Sequence, residues 1–249
     1  MKEQRYIAIT GASSGIGLSA AKLFAKRGKS LVIISRRQDR LEEIKNDILS
    51  QFPNIDIIIK SVDIRFTQNI INLWNQLDNI FIESLINNAG IGMYQNVNEY
   101  ALEKSEDLIQ TNINAVSILS ILYVKKYSNQ DNTQLINISS ARGYAMVPSS
   151  VLYNASKFFI GAFTEGLDAE LRSTGAKMRA KVLAPALTRT EFGSLANNVV
   201  EYDYSKRQSH SAEEVASFLI DLYDSDKTVG IVDRKSFRFY LRDAIFPQS

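Results

Sequence analysis

A tyrosine and a lysine four residues apart carry the most specific chemistry in this sequence. Tyr153 and Lys157 belong to a segment, Tyr-Asn-Ala-Ser-Lys, whose surroundings predict a helix. Residues at this spacing share one helix face, so the two side chains lie within reach of each other. An ammonium beside a phenol favours the phenolate and lowers the tyrosine pKa from its usual value of about 10. Such a tyrosine can exchange a proton with a carbonyl or alcohol oxygen near neutral pH.

The same spacing also fits a surface helix that carries a tyrosine and a lysine without any chemical role. Short patterns match by chance, so the spacing alone favours this second interpretation. The elements that would have to position the two side chains therefore decide between the two interpretations.

The size and composition of the chain indicate one globular domain spanning residues 1–249. Hydrophobic residues make up 45% and charged residues 22%, which is near the globular average and sufficient for a large core. The formal net charge of +2 provides no field that would favour nucleic acid as a partner.

Cysteine and histidine usage excludes several kinds of site. The chain has no cysteine, which excludes disulfides and thiolate chemistry and fits a reducing cytoplasm. His210 is the single histidine, so a multi-histidine metal site is impossible, and we predict no metal. A strand begins close to the N-terminus and no apolar run approaches about 18 residues, so neither a secretory signal nor a membrane span is expected.

A glycine-rich loop lies between the first predicted strand and the first predicted helix. The strand, residues 5–10, is apolar and β-branched, and the helix, residues 18–27, is amphipathic. Gly11 allows a tight turn, Gly15 lets the backbone approach a pyrophosphate, and Gly17 lets the helix pack on the strand. Free N–H groups at the helix N-terminus would bind the phosphates. This context predicts a dinucleotide-binding loop.

The residues after the second predicted strand favour NADP(H) over NAD(H). NAD-binding folds carry an acidic residue near this strand end, where it holds the ribose 2′-hydroxyl. Here Arg36 and Arg37 follow the strand, and the first carboxylate is Asp39. Arginine binds a 2′-phosphate through charge-assisted hydrogen bonds. The alternative is that both arginines are solvated loop cations.

Strands and helices alternate regularly along the chain. Predicted strands cover residues 5–10, 30–35, 55–62, 80–86, 135–138, 177–183 and 228–232; predicted helices cover 18–27, 39–50, 67–77, part of 99–126, 151–172 and 211–223. This order predicts an α/β fold of Rossmann type, with a doubly wound parallel sheet of about seven strands in a three-layer α/β/α sandwich. Ser211 and Glu214 predict a capping box at the start of the last helix.

Ordered motifs along nearly the whole chain resemble those of the single-domain branch of the short-chain dehydrogenase/reductase family. The matching segments are residues 10–17, Asp63, 87–90, Asn112, Ser140, 153–157 and 185–190. The resemblance implies a Rossmann fold, a nicotinamide cofactor, and the oxidation of an alcohol or reduction of a carbonyl.

The resemblance also implies which residues contact the cofactor. A basic residue at the position of Arg36 would hold the 2′-phosphate with help from Ser13, and Asp63 and Ile64 would contact the adenine. Tyr153 and Lys157 would reach the nicotinamide ribose. The other implied contacts are Gly11, Ser14, Gly15, Ile16, Gly17, Arg37, Asn88, Ala89, Gly90, Pro185, Thr188 and Thr190.

Four residues match catalytic positions of the family. Tyr153 matches the general acid/base, Lys157 the residue that lowers its pKa, and Ser140 the residue that hydrogen-bonds the substrate oxygen. Asn112 matches a residue that anchors a water chain, although an amide that caps or kinks its helix is the alternative. Neighbouring strand residues point to opposite faces, so Ser139 is expected to pack elsewhere.

Two segments depart from the family pattern. Ala186 follows Pro185 where the family has glycine, and a positive φ there would strain alanine by about 1 kcal/mol. Beyond the last predicted strand the chain continues into an aromatic and basic extension at about 234–249. We expect this extension to cover the substrate pocket or a partner subunit rather than to lie on a membrane surface.

The expected substrate pocket is mostly apolar or aromatic, which favours a hydrophobic carbonyl compound. Its candidate residues, besides a lid at about 190–210, are Met93, Tyr94, Arg142, Tyr144 and Val147. Arg142 could pair with a substrate carboxylate or phosphate, but a structural or solvated arginine is the commoner case.

Together these features predict a cytoplasmic NADP(H)-dependent oxidoreductase that interconverts a carbonyl and a secondary alcohol. Apolar positions on the long helices predict a homodimer or homotetramer. The alternative is a catalytically idle NADP(H)-binding sensor or scaffold of the same fold. Such a protein has no need of the intact set Asn112, Ser140, Tyr153 and Lys157, which favours the enzyme.

Overall fold

One mixed sheet of eight strands organises the molecule. The structure, a computed structural model, describes residues 4–247; the ends of the predicted domain, residues 1–3 and 248–249, lie outside this range. The strands are β1 (Arg5–Thr10), β2 (Ser30–Ser35), β3 (Ile57–Ser61), β4 (Phe81–Asn87), β5 (Gln134–Ile138), β6 (Arg179–Ala184), β7 (Thr188–Arg189), β8 (His210–Ser211), β9 (Val229–Val232) and β10 (Phe239–Arg242). The sheet has the order β10-β9-β6-β5-β4-β1-β2-β3, and β7 and β8 pair with each other.

Helices cover both faces of the sheet. They are α1 (Gly15–Lys26), α2 (Gln38–Gln51), α3 (Thr67–Gln76), α4 (Leu102–Ile109), α5 (Val116–Tyr127), α6 (Val151–Ser173), α7 (Glu191–Asn197) and α8 (Ala212–Asp224). In β1, Ile7 and Ile9 pack with α1, α2 and α8, whereas Tyr6 and Ala8 pack with α3, α5 and α6. Burial on both faces explains the uninterrupted apolar sequence of the strand. The predicted three-layer α/β/α sandwich is confirmed.

The edge of the sheet differs from the prediction. Seven neighbouring strands of the sheet pair in parallel, as predicted: β9, β6, β5, β4, β1, β2 and β3. β10 is an additional strand that pairs antiparallel with β9, so part of the C-terminal extension forms an edge of the sheet. Beyond it the chain returns to α6, where the Phe246 N–H donates to the Glu165 carboxylate at 2.9 Å, and the Phe246 ring stacks on Tyr144 at 5.3 Å.

The long helix predicted within residues 99–126 contains a π-helical segment. α4 and α5 are joined through the π-helix Gln110–Ala115. Within the continuous helical stretch Leu102–Tyr127 an 18-residue window has a mean hydropathy of 1.2, and by length and composition alone this stretch could cross a membrane. Leu119 and Tyr123 are buried in the core of the sheet, and buried core helices meet the same criterion.

The predicted capping box at the start of α8 is confirmed. The Ser211 hydroxyl accepts a hydrogen bond from the Glu214 N–H at 3.1 Å, and the Glu214 carboxylate accepts one from the Ser211 N–H at 2.6 Å. Two N–H groups at the helix start thereby find partners, which fixes where α8 begins.

α6, the helix that carries Tyr153, is tied to the sheet by a buried carboxylate. Asp168 is almost fully buried and accepts hydrogen bonds from Arg179 of β6 at 2.9 Å and from the Thr228 hydroxyl, next to β9, at 2.8 Å. Arg172, one turn further along α6, adds a contact at 2.8 Å from a half-exposed position. Asp168 therefore joins three elements through one side chain.

We expect Asp168→Asn to lower the free energy of unfolding by about 3 kcal/mol, because it leaves the Arg179 guanidinium without its buried counter-charge. Arg172→Met is the matched control. It removes a half-exposed partner of the same carboxylate and should cost less than about 1 kcal/mol. Urea denaturation of the two variants measures the difference, and equal losses would contradict the central role of Asp168.

Candidate active site

The carboxyl ends of the parallel strands open into one cavity of about 1330 Å³. This is where ligands bind in open α/β sheets, because the strand ends and helix starts converge there. Most of the predicted site residues line the cavity. Four of them do not line it: Gly17, Met93, Asn112 and Tyr144.

The glycine loop has the backbone of an anion-binding turn. Gly11 and Gly15 have φ values of +67° and +52°, a region that favours glycine. A Cβ on Gly17 would lie 2.5 Å from the carbonyl oxygen of Gly11, so glycine is needed where α1 meets β1. The Ser14 side chain makes no capping hydrogen bond within the described residues. The first N–H groups of α1 therefore fit the phosphate role predicted for them.

The end of β4 is bonded to the glycine loop. The Thr10 hydroxyl accepts hydrogen bonds from the N–H groups of Asn88 and Ala89, each at 3.0 Å. The Asn88 amide donates to the Thr10 carbonyl oxygen at 2.9 Å. Asn88 thus holds the floor of the cavity, while Gly90 lines it beside Lys157.

Arg37, rather than Arg36, contacts the serine expected to help with a 2′-phosphate. Its guanidinium donates to the Ser13 hydroxyl at 3.0 and 3.1 Å and pairs with Glu191 of α7 at 3.0 Å. Arg36 is exposed and also lines the cavity. Both cations therefore surround the place where a 2′-phosphate would lie.

The expected adenine contacts, Asp63 and Ile64, line the same end of the cavity. Hydrogen bonds from Arg65 hold the pKa of Asp63 below its usual value, and Arg65 also pairs with Asp107 at 2.7 Å. Arg65 and Asp107 line the cavity without having been predicted, since pairing with a residue 42 positions away leaves no local sequence signal.

Tyr153 lies at the other end of the cavity between two aromatic rings. Its ring centre is 5.6 Å from that of Tyr94, nearly edge to face, and 5.7 Å from that of Phe192 in α7. Its hydroxyl interacts with the hydroxyls of Ser140 and Tyr94. Burial raises the pKa of Tyr153 well above its usual value, while the Ser140 hydrogen bond and the charge of Arg142 oppose this rise.

Lys157 is buried directly below this tyrosine. Its ammonium donates to the Ile138 carbonyl oxygen at 2.9 Å and lies 5.8 Å from the Tyr153 ring centre. Burial lowers the pKa of Lys157 to about 8. The expectation that Lys157 by itself holds the Tyr153 pKa below about 10 is therefore wrong for the protein's own residues. Burial is the largest cause of the pKa shift of both groups, and Ser140 and Arg142, rather than Lys157, oppose the rise of the Tyr153 pKa.

The two consecutive serines after β5 face different neighbours, as strand alternation predicts. The Ser140 hydroxyl accepts a hydrogen bond from the Arg142 N–H at 3.1 Å and lines the cavity beside Tyr153. The Ser139 hydroxyl donates to the Lys157 carbonyl oxygen at 2.7 Å. Ser139 therefore holds α6, and Ser140 faces Tyr153.

Asn112 is fully buried in the π-helix and satisfied by protein groups. Its side-chain oxygen accepts from the Ile91 N–H at 2.9 Å. Its amide donates to the Ile91 carbonyl oxygen at 2.9 Å and to the Ser156 hydroxyl at 3.1 Å. Asn112 thus connects the loop after Gly90 to α6, which agrees with an amide that shapes its helix.

The loop after β6 forms the wall opposite the glycine loop. Pro185, Thr188 and Thr190 line the cavity, and the Thr190 side chain lies against Gly15. Ala186 is not among the residues with a positive φ, so the strain considered for it does not arise. Thr190 begins α7, which is a helix inside the segment predicted as a lid.

The predicted substrate residues separate into two groups. Tyr94, Arg142 and Val147 line the cavity near Tyr153. Met93 is buried behind Tyr153 with Leu108, and the Tyr144 hydroxyl donates to the Glu165 carboxylate of α6 at 2.6 Å. Both therefore support the wall from behind, because tertiary partners on α4 and α6 turn them away from the cavity.

Comparisons with known proteins agree with this geometry. The family model of short chain dehydrogenases matches residues 5–199. A dehydrogenase/reductase SDR family member 11 from Gallus gallus is 29% identical over 239 residues, covering 92% of this chain and 94% of the relative. A sulfoacetaldehyde reductase 2 from Chromohalobacter salexigens is 32% identical, covering 75% of this chain and 73% of that protein.

A solved short-chain dehydrogenase from Sphingobium yanoikuyae, in complex with NADPH, superimposes with a TM-score of 0.85. It is 26% identical, and the match covers 93% of this chain and 89% of the other. The family match extends from β1 past the tyrosine and lysine of α6, and it includes every site residue described above. The chain belongs to the short-chain dehydrogenase/reductase family.

Proposed function

We propose that this protein is an NADP(H)-dependent oxidoreductase that interconverts a carbonyl and a secondary alcohol. One observation carries the proposal: the Tyr153 hydroxyl meets the Ser140 hydroxyl at the inner end of a cavity whose outer end is a glycine loop flanked by two arginines. A dinucleotide whose phosphates bind at the outer end would thus extend its nicotinamide to the proton donor at the inner end.

The residues present fit a dinucleotide. The first N–H groups of α1 would bind the pyrophosphate, and Arg36, Arg37 and Ser13 would surround the 2′-phosphate. Lys157 lines the inner end, where its ammonium would reach the nicotinamide ribose. When bound, the nicotinamide supplies or accepts the hydride.

Tyr153 and Ser140 provide the proton and the charge stabilisation. In the reducing direction both hydroxyls would hydrogen-bond the carbonyl oxygen, and Tyr153 would give its proton as negative charge develops there. A phenol whose pKa is raised by burial keeps its proton until the substrate oxygen becomes basic. The protein's own residues therefore favour Tyr153 as an acid.

The proposed preference for NADP(H) over NAD(H) rests on Arg36 and Arg37. The relative from Sphingobium yanoikuyae was solved with NADPH, whereas another solved family member, from Burkholderia phymatum, was solved with NAD. The contacts of Arg37 with Ser13 support NADP(H) for this chain. A cytoplasmic location and assembly as a homodimer or homotetramer stay predictions.

We expect Tyr153→Phe to reduce kcat by at least about a hundredfold, because the ring is kept and only the proton-donating hydroxyl is lost. NADPH affinity should change by less than about threefold, since no phosphate contact is removed. NADPH consumption with a panel of ketones and aldehydes, together with NADPH titration, measures both. Tyr240→Phe, on the exposed edge strand, is the control, and unchanged turnover in Tyr153→Phe would refute the assignment.

Removing the cations at the 2′-phosphate position should reduce discrimination between the two nucleotides. We expect Arg37→Met to weaken NADPH binding at least about tenfold while leaving NADH binding nearly unchanged, because a charge-assisted contact to the phosphate is lost. Arg36→Met separates the contribution of the second arginine. Arg40→Met, whose partner is Glu43 on the surface of α2, is the control. Equal affinities for NADPH and NADH in the wild type would contradict the preference.

Replacing Lys157 should stabilise the fold while abolishing turnover. At pH 7 the buried ammonium is disfavoured, so we expect Lys157→Met to raise the free energy of unfolding by about 1–3 kcal/mol. The pKa of about 8 in the folded protein lies below the unfolded value of about 10. Between these values the unfolded state binds the additional proton, so wild-type stability rises with pH and the advantage of the variant shrinks.

Thermal denaturation at several pH values between 7 and about 10 measures this change, with Lys104→Met on the surface of α4 as the control. A variant that is less stable than the wild type at pH 7, or a difference that does not depend on pH, would show that burial does not disfavour the ammonium.

A further inference from the structure

The acidic side chains that line the described part of the cavity are already paired with arginines. Asp63 and Asp107 pair with Arg65, and Glu191 pairs with Arg37. All three of these acids lie toward the nucleotide end or on α7. The inner end, where a substrate would meet Tyr153, is therefore lined by cations without carboxylates to neutralise them.

Arg142 is a second cation, besides Lys157, at the inner end of the cavity. It follows Ser140 by two residues in a short 3₁₀ turn, and the Ser140 hydroxyl accepts its N–H at 3.1 Å. The guanidinium carbon lies 4.9 Å from the ring centre of Tyr94, which is itself in contact with Tyr153. The backbone therefore fixes Arg142 relative to the serine and tyrosine that would hold the substrate oxygen.

The guanidinium of Arg142 has most of its hydrogen-bonding capacity left. One N–H donates to the Ser150 hydroxyl at 2.6 Å, and the side chain forms no ion pair with the described residues. An arginine presents five N–H donors in a planar fork that matches a carboxylate or phosphate. Arg142 is half-buried and lines the cavity, and its guanidinium has one neutral hydrogen-bond partner among the described residues, Ser150. Its remaining donors are therefore free to bind an anion.

We propose that Arg142 makes this enzyme specific for carbonyl compounds that carry an anionic group, such as a carboxylate, sulfonate or phosphate, a few bonds from the carbonyl carbon. The proposal rests on the proposed function and names its substrate class. It replaces the hydrophobic substrate expected from the apolar wall alone.

The side chains around Arg142 suit the part of such a molecule that joins the anionic group to the carbonyl. Tyr94, Val147 and Phe192 line the cavity between Arg142 and the proton donor. These side chains suit a short apolar linker, while the fork takes the charge. Two fixed points, the hydroxyl pair at the carbonyl oxygen and the guanidinium at the anion, would orient the carbonyl carbon.

Matched pairs of test substrates that differ in charge distinguish this role from others. Suitable pairs are ketones: acetoacetate and its methyl ester, levulinate and its methyl ester, and dihydroxyacetone phosphate and dihydroxyacetone. We expect the wild type to show a higher kcat/KM for the anionic member of at least one pair. Arg142→Met should lower kcat/KM at least about tenfold for that anion, mainly through KM, and less than about threefold for its neutral partner.

Two further variants sharpen the comparison. Arg142→Lys keeps the charge but loses the planar fork, and it should fall between the wild type and Arg142→Met on the anion. Arg238→Met removes one exposed arginine that does not line the cavity, and it controls for the net charge of the chain. It should leave both members of each pair unaffected.

Two results would overturn the inference while leaving the oxidoreductase in place. A wild type that prefers the neutral members of all three pairs is one of them. The other is an Arg142→Met variant that loses activity equally on both members and shifts the pH profile, since this shows an effect on the Tyr153 proton rather than on the anion. A wild type that binds NADPH but reduces no carbonyl compound would instead overturn the proposed function and, with it, the substrate class.

Discussion

The contact between α6 and the end of β5 is the constraint on which the active site depends. The Lys157 ammonium donates to the Ile138 carbonyl oxygen, and the Lys157 carbonyl oxygen accepts from the Ser139 hydroxyl. Lys157 is thus bonded through its side chain to the last residue of β5 and through its backbone to the residue directly after it. Gly143 completes the contact, because a Cβ there would lie 2.5 Å from the Lys157 carbonyl oxygen. This contact therefore fixes the position of Tyr153, which lies one turn earlier on the helix.

The π-helix Gln110–Ala115 also holds α6 in place, through the hydrogen bond between Asn112 and Ser156. Inserting one residue into a helical turn moves a side chain out of the normal helical series, and such segments are frequent at functional sites. Here the displaced region contains Asn112, whose amide bonds to Ile91 and to Ser156 of α6. A Cβ on Gly90 would lie 3.3 Å from the Asn112 side-chain oxygen and 3.5 Å from the Lys157 ammonium nitrogen. The close approach of these groups therefore explains a glycine at this position.

Local patterns predicted most of the fold and the positions of the main site residues. The continuous apolar runs of β1 and β2, the glycine loop and the capping box of α8 are each determined by neighbouring residues, and each could be read from the sequence. β10 could not, because an exposed edge strand has little hydrophobic alternation and is held by backbone bonds to β9. The π-helix, the turning of Tyr144 toward Glu165 and the choice between Arg36 and Arg37 depend on tertiary contacts across many residues. The pKa of Tyr153 depends on burial, which the spacing of Tyr153 and Lys157 does not report.

The charges at the inner end of the cavity bear on the direction of the reaction. Tyr153 is pulled toward a high pKa by burial and toward a lower one by its Ser140 hydrogen bond and the charge of Arg142. An anion bound to Arg142 would cancel part of that positive charge, so the Tyr153 pKa would rise further and the phenol would hold its proton more firmly. A protonated tyrosine is the form needed to reduce a carbonyl, whereas oxidation of an alcohol needs the phenolate. Burial already keeps Tyr153 protonated near neutral pH, so the phenol suits carbonyl reduction before any substrate binds. A bound anion would strengthen its hold on that proton without changing the protonation state.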